Sequence, residues 1–372
     1  MKNSTAKNIV TELLQSAGIT INGNARYDIQ IHDEDFYAAV LHERELGLGE
    51  SYVEGGWDCA HLDEFFDHIL CANLEKKIKK SKLLFFKIIM AQIINLQNKR
   101  RAWMVGKKHY DLGDPLFHAM LDGNMNYTCG YWKNAHSLED AQQAKLELTC
   151  QKLSLKPGMR LLDIGCGWGA LAKYAAEKYG VSVVGATISR NQYDHIKDYC
   201  KGLPIEIRLQ DYRDIEGQFD RICSLGMFEH VGESNYSTYM RVVDRCLADD
   251  GLFLLHTIGD NFIGPANEWI SKYIFPNGVL PTISLIAKAT EGLFVMEDWH
   301  NFGADYDKTL MAWQQNFERH WPQLKSEYDD RFYRLWNYYL LSCAGAFRAR
   351  TAQLWQVVFS KAGIRGGYQA PR

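Results

Sequence analysis

From about residue 150, short apolar runs alternate with stretches whose apolar positions recur at helical spacing. Arg160-Leu-Leu-Asp-Ile164 predicts a strand that ends in glycines, Ala170 to Tyr179 a helix, and Val181-Ser-Val-Val-Gly-Ala186 a second strand. Asn191 to Cys200 reads as a helix, Ile205-Glu-Ile-Arg-Leu209 as a third strand and Phe219-Asp-Arg-Ile-Cys-Ser224 as a fourth. A helix from Tyr236 to Leu247 and a strand from Gly251 to Thr257 complete the series. Strands alternating with helices imply βαβ units, right-handed crossovers and a largely parallel sheet buried on both faces. The fold class is therefore α/β. Ligands of such sheets bind beyond the carboxyl ends of the strands, so the chemistry belongs in the segments just after each strand.

The first 75 residues pattern differently. Short helical repeats surround a stretch that reads as turn-rich, Leu46-Gly-Leu-Gly-Glu-Ser-Tyr-Val-Glu-Gly-Gly-Trp57, which suggests a smaller N-terminal α+β domain over 1–75. Next comes a segment whose apolar part, Leu83 to Leu96, is fourteen residues long and interrupted by Lys87, Gln92 and Asn95. A bilayer span needs about 20 apolar residues, so this segment does not cross a membrane. Leu83, Phe86, Ile89, Met90, Ile93 and Ile94 fall at helical spacing between basic clusters. That pattern suits a helix lying in an interface, and equally a core helix with solvated ends. The expected organisation is 1–75, a basic amphipathic linker over 76–108, and a larger domain over 109–372 that carries the parallel sheet.

Charge sharpens the reading of the linker. The 372 residues carry a net charge of −3, with 47% hydrophobic and 23% charged positions, an ordinary globular mixture that excludes a disordered chain. Yet Lys76 to Lys108 holds eleven Lys or Arg and no acid, leaving 31 basic and 45 acidic groups in the remaining 339 residues. Fields are screened within about 8–10 Å, so the block acts locally, and each basic residue gains about 1 kcal/mol near an anionic leaflet. An anionic membrane surface is the expected partner. RNA fits less well, because the helix is aliphatic without interleaved aromatics, and no nucleic-acid partner is expected. Nine scattered cysteines form no C-x-x-C pair, and no metal site is expected. The N-terminus lacks the apolar core of a signal peptide, so the expected location is cytoplasmic, peripheral to the inner face of the membrane.

The first strand runs into Asp163-Ile-Gly165-Cys-Gly167-Trp-Gly169, a strand, acid, three glycines and then a helix. Glycines here permit positive φ and close backbone approach to a ligand. The turn resembles the nucleotide turn of class I S-adenosylmethionine-dependent methyltransferases, which implies a Rossmann-like catalytic domain. That family commonly ends its second strand in a ribose-binding acid, whereas this chain has Gly185-Ala-Thr187-Ile-Ser189-Arg-Asn-Gln192.

Longer strings narrow the resemblance. Tyr110-Asp-Leu-Gly113, Asn126-Tyr-Thr-Cys129-Gly-Tyr-Trp132, Gln210-Asp-Tyr-Arg213, Gly226-Met-Phe-Glu-His-Val-Gly232, Tyr273-Ile-Phe-Pro-Asn-Gly278, Asp298-Trp-His-Asn-Phe-Gly-Ala-Asp-Tyr306 and Cys343-Ala-Gly-Ala-Phe-Arg348 occur in order. In joint order and spacing they are similar to the cyclopropane fatty acid synthases. The resemblance implies cofactor contacts from Asp163, Gly165, Gly167, Gly169, Thr187 and Gln192. It implies adenine contacts from Gln210, Asp211 and Tyr212, and cover for the methionine end from Tyr127 and Thr128. It also implies a homodimer.

The family reaction adds a methylene across a cis double bond of an unsaturated phospholipid acyl chain. An alkene is a poor nucleophile, so the sulfonium methyl supplies a strong electrophile, attack leaves a carbocation, and a base must then remove a proton so that the ring closes. Water must be excluded and aromatic faces suit the cation. The resemblance implies bicarbonate as the base, held by Glu229, His256, Tyr306, Cys129 and the backbone of Ile258. Glu229 would accept the bicarbonate O–H, with a pKa raised by burial, while His256, Tyr306 and the Ile258 N–H would donate. Cys343 is the remaining nucleophile candidate, but no step needs a thiol adduct and its small-residue string suits a packed helix. Two other readings stand beside this one. One is an N- or O-methyltransferase acting on a lipid headgroup or small amine; the other is an inactive cofactor-binding membrane protein, which would have been free to lose Glu229, His256 and Tyr306.

Overall fold

The computed structural model describes residues 2–74, 77, 113–264 and 267–372. The basic linker expected over 76–108 therefore lies outside the described residues except for Lys77. Among the described residues no helix is long and apolar enough to cross a membrane. The chain forms two compact units: residues 1–120, 267–276 and 310–351 in one, and 121–266, 277–309 and 352–372 in the other. The units do not follow the chain, because 267–276 and 310–351 were expected within the catalytic domain and instead join the first unit.

In the first unit a two-stranded sheet pairs β1 (Ile29–Ile31) antiparallel with β2 (Trp57–Cys59). Around it lie the helices Phe36–Val53, Leu62–Cys71 and Asp330–Arg348. Trp57, Phe36, Phe65 and Trp336 are among its fully buried side chains. The stretch read as turn-rich is helical through Val53, with a kink at Arg44 (φ 50°). Its glycines serve close packing instead of turning: a Cβ on Gly49 would meet the Trp269 ring at 2.3 Å. Gly345 does the same on Asp330–Arg348, where a Cβ would lie 2.5 Å from Phe66 Cβ. The Cys343-Ala-Gly-Ala string is thus a helix-packing face.

The second unit is built on a seven-stranded sheet. Its strands are β3 (Arg160–Ile164), β4 (Ser182–Thr187), β5 (Ile205–Leu209), β6 (Phe219–Leu225), β7 (Leu247–Asp260), β8 (Val295–Asn301) and β9 (Ala352–Ser360). Their order is β5-β4-β3-β6-β7-β9-β8. Pairings from β5 through β7 are parallel, and β9 alone runs antiparallel, between β7 and β8. Strand order reverses at β3, whose neighbours are β4 and β6, which is where sheets of this kind bind their ligands. Every strand and helix expected between 160 and 257 is present within a few residues. The strands β8 and β9 were not foreseen.

Candidate active site

The turn after β3 has the backbone that its glycines predict. Gly165, Gly167 and Gly169 take φ of 80°, 54° and 88°. A Cβ on Gly165 would sit 2.7 Å from Met227 Cγ, whereas one on Gly167 would meet nothing within 4 Å. The turn is close-packed on one side and open on the other. Asp163 is buried at its root, and desolvation raises its carboxyl to about 7. Its Oδ1 accepts a 3.6 Å bond from the Cys223 thiol.

The other rim residues are held mainly by near neighbours. Thr187 Oγ1 donates to Gln192 Oε1 at 2.8 Å and accepts the Ser189 N–H at 3.1 Å. Asp211 caps the turn Tyr212–Asp214 and pairs with Arg213 at 2.8 Å, so its carboxylate is spent on the fold. Tyr212 packs against Tyr239 with centroids 5.3 Å apart. Gln210 differs from these: its backbone N–H bonds Thr187 O, but its side-chain Nε2 is buried with no partner among the described residues. An orphaned amide donor beside an open glycine turn fits a nucleoside-bearing ligand, since leaving it unpaired disfavours the fold.

The catalytic candidates gather beyond β6 and β7. Glu229 lies in the short turn Phe228–His230 and is buried. Its Oε1 accepts the Ile258 N–H at 2.7 Å, while Oε2 has no partner among the described residues. Burial raises its pKa to about 7. The Ile258 N–H, expected to face an anion directly, is thus engaged in holding the carboxylate.

His256 is a residue of β7 and pairs across the sheet with Gln356 of β9, which in turn pairs with His300 of β8. These three side chains form a polar row across a sheet otherwise built for burial. Gln356 Nε2 donates to His256 Nδ1 at 3.3 Å, which leaves the ring proton on Nε2. That Nε2 has no partner among the described residues. Burial, assisted by the positive charges of Lys145 and Lys152, holds His256 well below the usual histidine range, so the ring is a neutral donor.

The lysines come from the helix Leu138–Lys152, capped at its start by the Ser137 side chain. Lys145, Thr149 and Lys152 share one helix face by their spacing. Lys145 Nζ donates to Asn126 Oδ1 at 2.8 Å and Thr128 Oγ1 at 3.0 Å; Gln142 Nε2 holds Thr128 O at 2.8 Å. Thr149 Oγ1 accepts from Gln356 at 3.3 Å, and Lys152 Nζ meets His300 Nδ1 at 3.1 Å and Asp298 at 3.3 Å. Arg372 forks onto the same Asp298. Desolvation lowers both lysines to about 8. Of these, Thr128 was named from sequence, whereas Lys145, Thr149, Lys152 and Gln356 were not. Polar residues three and four apart on a helix read as a solvated stripe, and here the stripe faces inward.

The segment preceding that helix is pinned by Ala304–Leu324. Thr309 Oγ1 accepts the Gly130 N–H at 3.1 Å and the Trp132 indole N–H at 2.9 Å, and Asp305 accepts the Trp132 N–H at 2.8 Å. Cys129, fully buried, therefore stands 3.9 Å from Thr309 Oγ1, one turn along from buried Tyr306. Burial pushes the Cys129 thiol well up, so it remains protonated. Thr128 approaches the end of β6 because Gly226 has no side chain: a Cβ there would lie 2.8 Å from Thr128 Cγ2. Tyr127 is half-buried beside it. The cofactor and base candidates thus share the second unit. Cys343 belongs to the first, and burial raises its thiol to about 12. Among the described residues no group of acids, histidines and cysteines is arranged to hold a metal.

The strand order, the glycine turn at the reversal and the polar groups beyond β6 and β7 define a class I methyltransferase domain. The sequence pattern of the family described as mycolic acid cyclopropane synthetase matches residues 97–357, and the chain belongs to that family. It is 56% identical over 365 residues to the cyclopropane-fatty-acyl-phospholipid synthase of Escherichia coli K12, covering 98% of this chain and 95% of the relative. Cyclopropane mycolic acid synthase 2 of Mycobacterium leprae is 35% identical over 68% of this chain and 92% of its own. Among solved structures, the cyclopropane synthase MmaA2 of Mycobacterium tuberculosis matches with a TM-score of 0.64 and 31% identity, over 68% of this chain and 96% of that one. The mycolic acid cyclopropane synthase CmaA1, complexed with SAH and CTAB, gives 0.64 and 33% over the same shares.

Proposed function

We propose that this chain transfers a methylene from S-adenosylmethionine to the cis double bond of an unsaturated phospholipid acyl chain and closes a cyclopropane ring. The observation that carries the reading is the pair of buried, unpartnered groups Glu229 Oε2 and His256 Nε2, an acceptor and a neutral donor rooted on adjacent strands. Family membership and the 56% identity to a synthase of this kind support it.

The methyl donor supplies the electrophilic carbon. Asp163, the glycine turn, Thr187 and Gln192 line its place, Gln210 Nε2 reads its base, and Tyr127 and Thr128 cover its methionine end. Bicarbonate supplies a base that, unlike a bare carboxylate, does not trap the carbocation as an ester. Ionised Glu229, fixed through Oε1 by the Ile258 N–H, accepts a proton at Oε2, and His256 donates from Nε2. Tyr306 and Cys129 close the same space, and burial of the set excludes water. The basic block Lys76–Lys108 draws the enzyme to the anionic inner face of the cell membrane as a cytoplasmic, peripheral homodimer.

The test is incubation with unsaturated phospholipid vesicles and methyl donor, followed by fragmentation of the product. The expected result is one added carbon in the acyl chain and loss of its double bond. A carbon added to the headgroup, or a surviving double bond, sinks the reading in favour of an N- or O-methyltransferase. Removal of bicarbonate is expected to suppress turnover and its return to restore it. Neutralising Lys76, Lys77, Lys79 and Lys80 is expected to weaken binding to anionic vesicles at low salt, measured by flotation.

A further inference from the structure

Beyond the site, β7 ends at Asp260 and the chain emerges as Asn261-Phe-Ile-Gly264. Phe262 is 75% and Ile263 68% exposed. The Phe262 N–H donates to Asp260 Oδ1 at 3.0 Å, so the tip is ordered by its own root. A second segment runs alongside it. Asp260 bridges Thr282 in parallel, and the Asp260 N–H donates to Pro281 O at 2.9 Å. This juxtaposition sets Ile283, 56% exposed, beside the Phe262 tip, with Leu280, 36% exposed, at the entry to the same segment. The helix Ile283–Thr290 is anchored by buried Ile286 and Ala289, while Ile283, at its first position, stays exposed.

Single exposed apolar side chains are ordinary, but a contiguous set marks a contact surface. Neither 261–264 nor 277–287 contains an ionisable side chain, in a chain that is 23% charged. Both segments are also rooted in the catalytic site. Phe262 lies four residues beyond Ile258, and Leu280 follows Val279, whose N–H donates to Glu229 O at 2.9 Å. A substrate double bond in the middle of an acyl chain lies beneath the headgroups, so that chain must leave the bilayer close to the base.

We infer that Phe262, Ile263, Leu280 and Ile283 form a charge-free lip that inserts among phospholipid acyl chains and sets the catalytic site against the bilayer. The inference rests on the proposed lipid activity and concerns residues other than the basic block Lys76–Lys108. The occupant is lipid because the neighbouring site works on an acyl chain, and the lip, lacking charge, holds without anionic headgroups.

Flotation with vesicles of zwitterionic unsaturated phosphatidylcholine at 1 M salt tests this, since the screening length there is about 3 Å and the basic block is silenced. The full-length protein is compared with F262S/I263S, with I283S, and with a control, V295S, altered at an exposed position on the edge strand β8. Loss of two inserted side chains is expected to lower vesicle partitioning by about tenfold or more for the double variant. The control should match the parent. Turnover of a short-chain unsaturated phospholipid below its micelle concentration should stay within about twofold, the lip having no bilayer to enter. Equal partitioning of variant and parent overturns the lip. So does an equal loss on the monomeric lipid, or a change of oligomeric state by sedimentation in place of a change in vesicle binding. If the parent floats and F262S/I263S does not, the lip stands even when no cyclopropane forms, so the two readings fail separately.

Discussion

Two parts of one sheet edge solve opposite problems. Around the glycine turn, most polar side chains are satisfied by partners a few residues away: Thr187 by Gln192 and Asp211 by Arg213. Beyond β6 and β7 the polar groups come from distant segments, and key atoms are left unpaired: Glu229 Oε2, His256 Nε2 and Gln356 Oε1 have no partner among the described residues. Local satisfaction builds a rigid shelf that exists with or without a ligand. Unsatisfied, desolvated groups store a preference for something to arrive. Substitutions in the second region should therefore change chemistry, and in the first mostly stability or affinity.

Glu229→Gln is the strongest test. Removing the carboxylate that accepts the bicarbonate proton is expected to lower turnover by about 10²–10⁴-fold, measured on unsaturated vesicles, with methyl-donor binding nearly unchanged by calorimetry. Parent turnover should rise with pH through about 7 as Glu229 ionises. Stability should move the other way. The Glu229 pKa is raised from 4.5 to about 7 by burial, so its favourable contribution is complete below 4.5 and lost as pH climbs through 7. At pH 8, Glu229→Gln is therefore expected to be more stable than the parent by about 2–3 kcal/mol in denaturant titrations, the gap closing toward pH 4.5. An inactive variant no more stable at pH 8 would deny that the carboxylate is held at a disadvantage.

Gln356→Glu probes the neutral donor. A carboxylate behind Nδ1 would take the ring proton there, leaving Nε2 able to donate only when the ring is charged. Lys145 and Lys152 oppose that charge and the new carboxylate favours it. Turnover of the variant is expected to drop about tenfold at pH 8 and to recover in part toward pH 7, below which protonation of Glu229 lowers it again, a bell where the parent only rises. A profile parallel to the parent would make Gln356 a packing residue. Lys145→Met should act less on chemistry than on Thr128. Losing the Asn126 and Thr128 bonds is expected to weaken methyl-donor binding about three- to tenfold by calorimetry, with the pH profile retained.

The same contrast explains what could be read in advance. The turn Asp163–Gly169 and the strands around it are local patterns, carried by glycine conformation and runs of branched residues, and they stand where expected. Glu229, His256, Tyr306 and Cys129 were named from strings in the sequence, and the fold brings their segments to one end of the sheet. The inward lysines escaped notice because hydrophobic periodicity reports burial only when buried groups are apolar. Lys145, Thr149 and Lys152 invert that rule, and their partners Asn126, Gln356 and His300 lie 19 to 207 residues away. The helical Gly47–Gly49 stretch misled for a related reason: glycine signals a turn locally, whereas here it makes room for Trp269.

The smallest expected effect tests the shelf itself. Asp211 was expected among the adenine contacts, but its two oxygens are taken up by the Arg213 side chain and backbone N–H. Asp211 and Arg213 are substantially exposed, so the pair contributes little to stability. Asp211→Asn keeps a cap for the turn while loosening Arg213, and should change methyl-donor affinity by less than about threefold and leave the pH profile alone. Gln210, its neighbour, supplies the contrast: Gln210→Leu removes the orphaned donor, and should weaken binding of the adenosyl donor about tenfold by calorimetry. If Asp211→Asn proves the more damaging of the two, the cofactor is read by the charged residue after all. Local satisfaction within the fold would then be a poor guide to which rim groups meet the ligand.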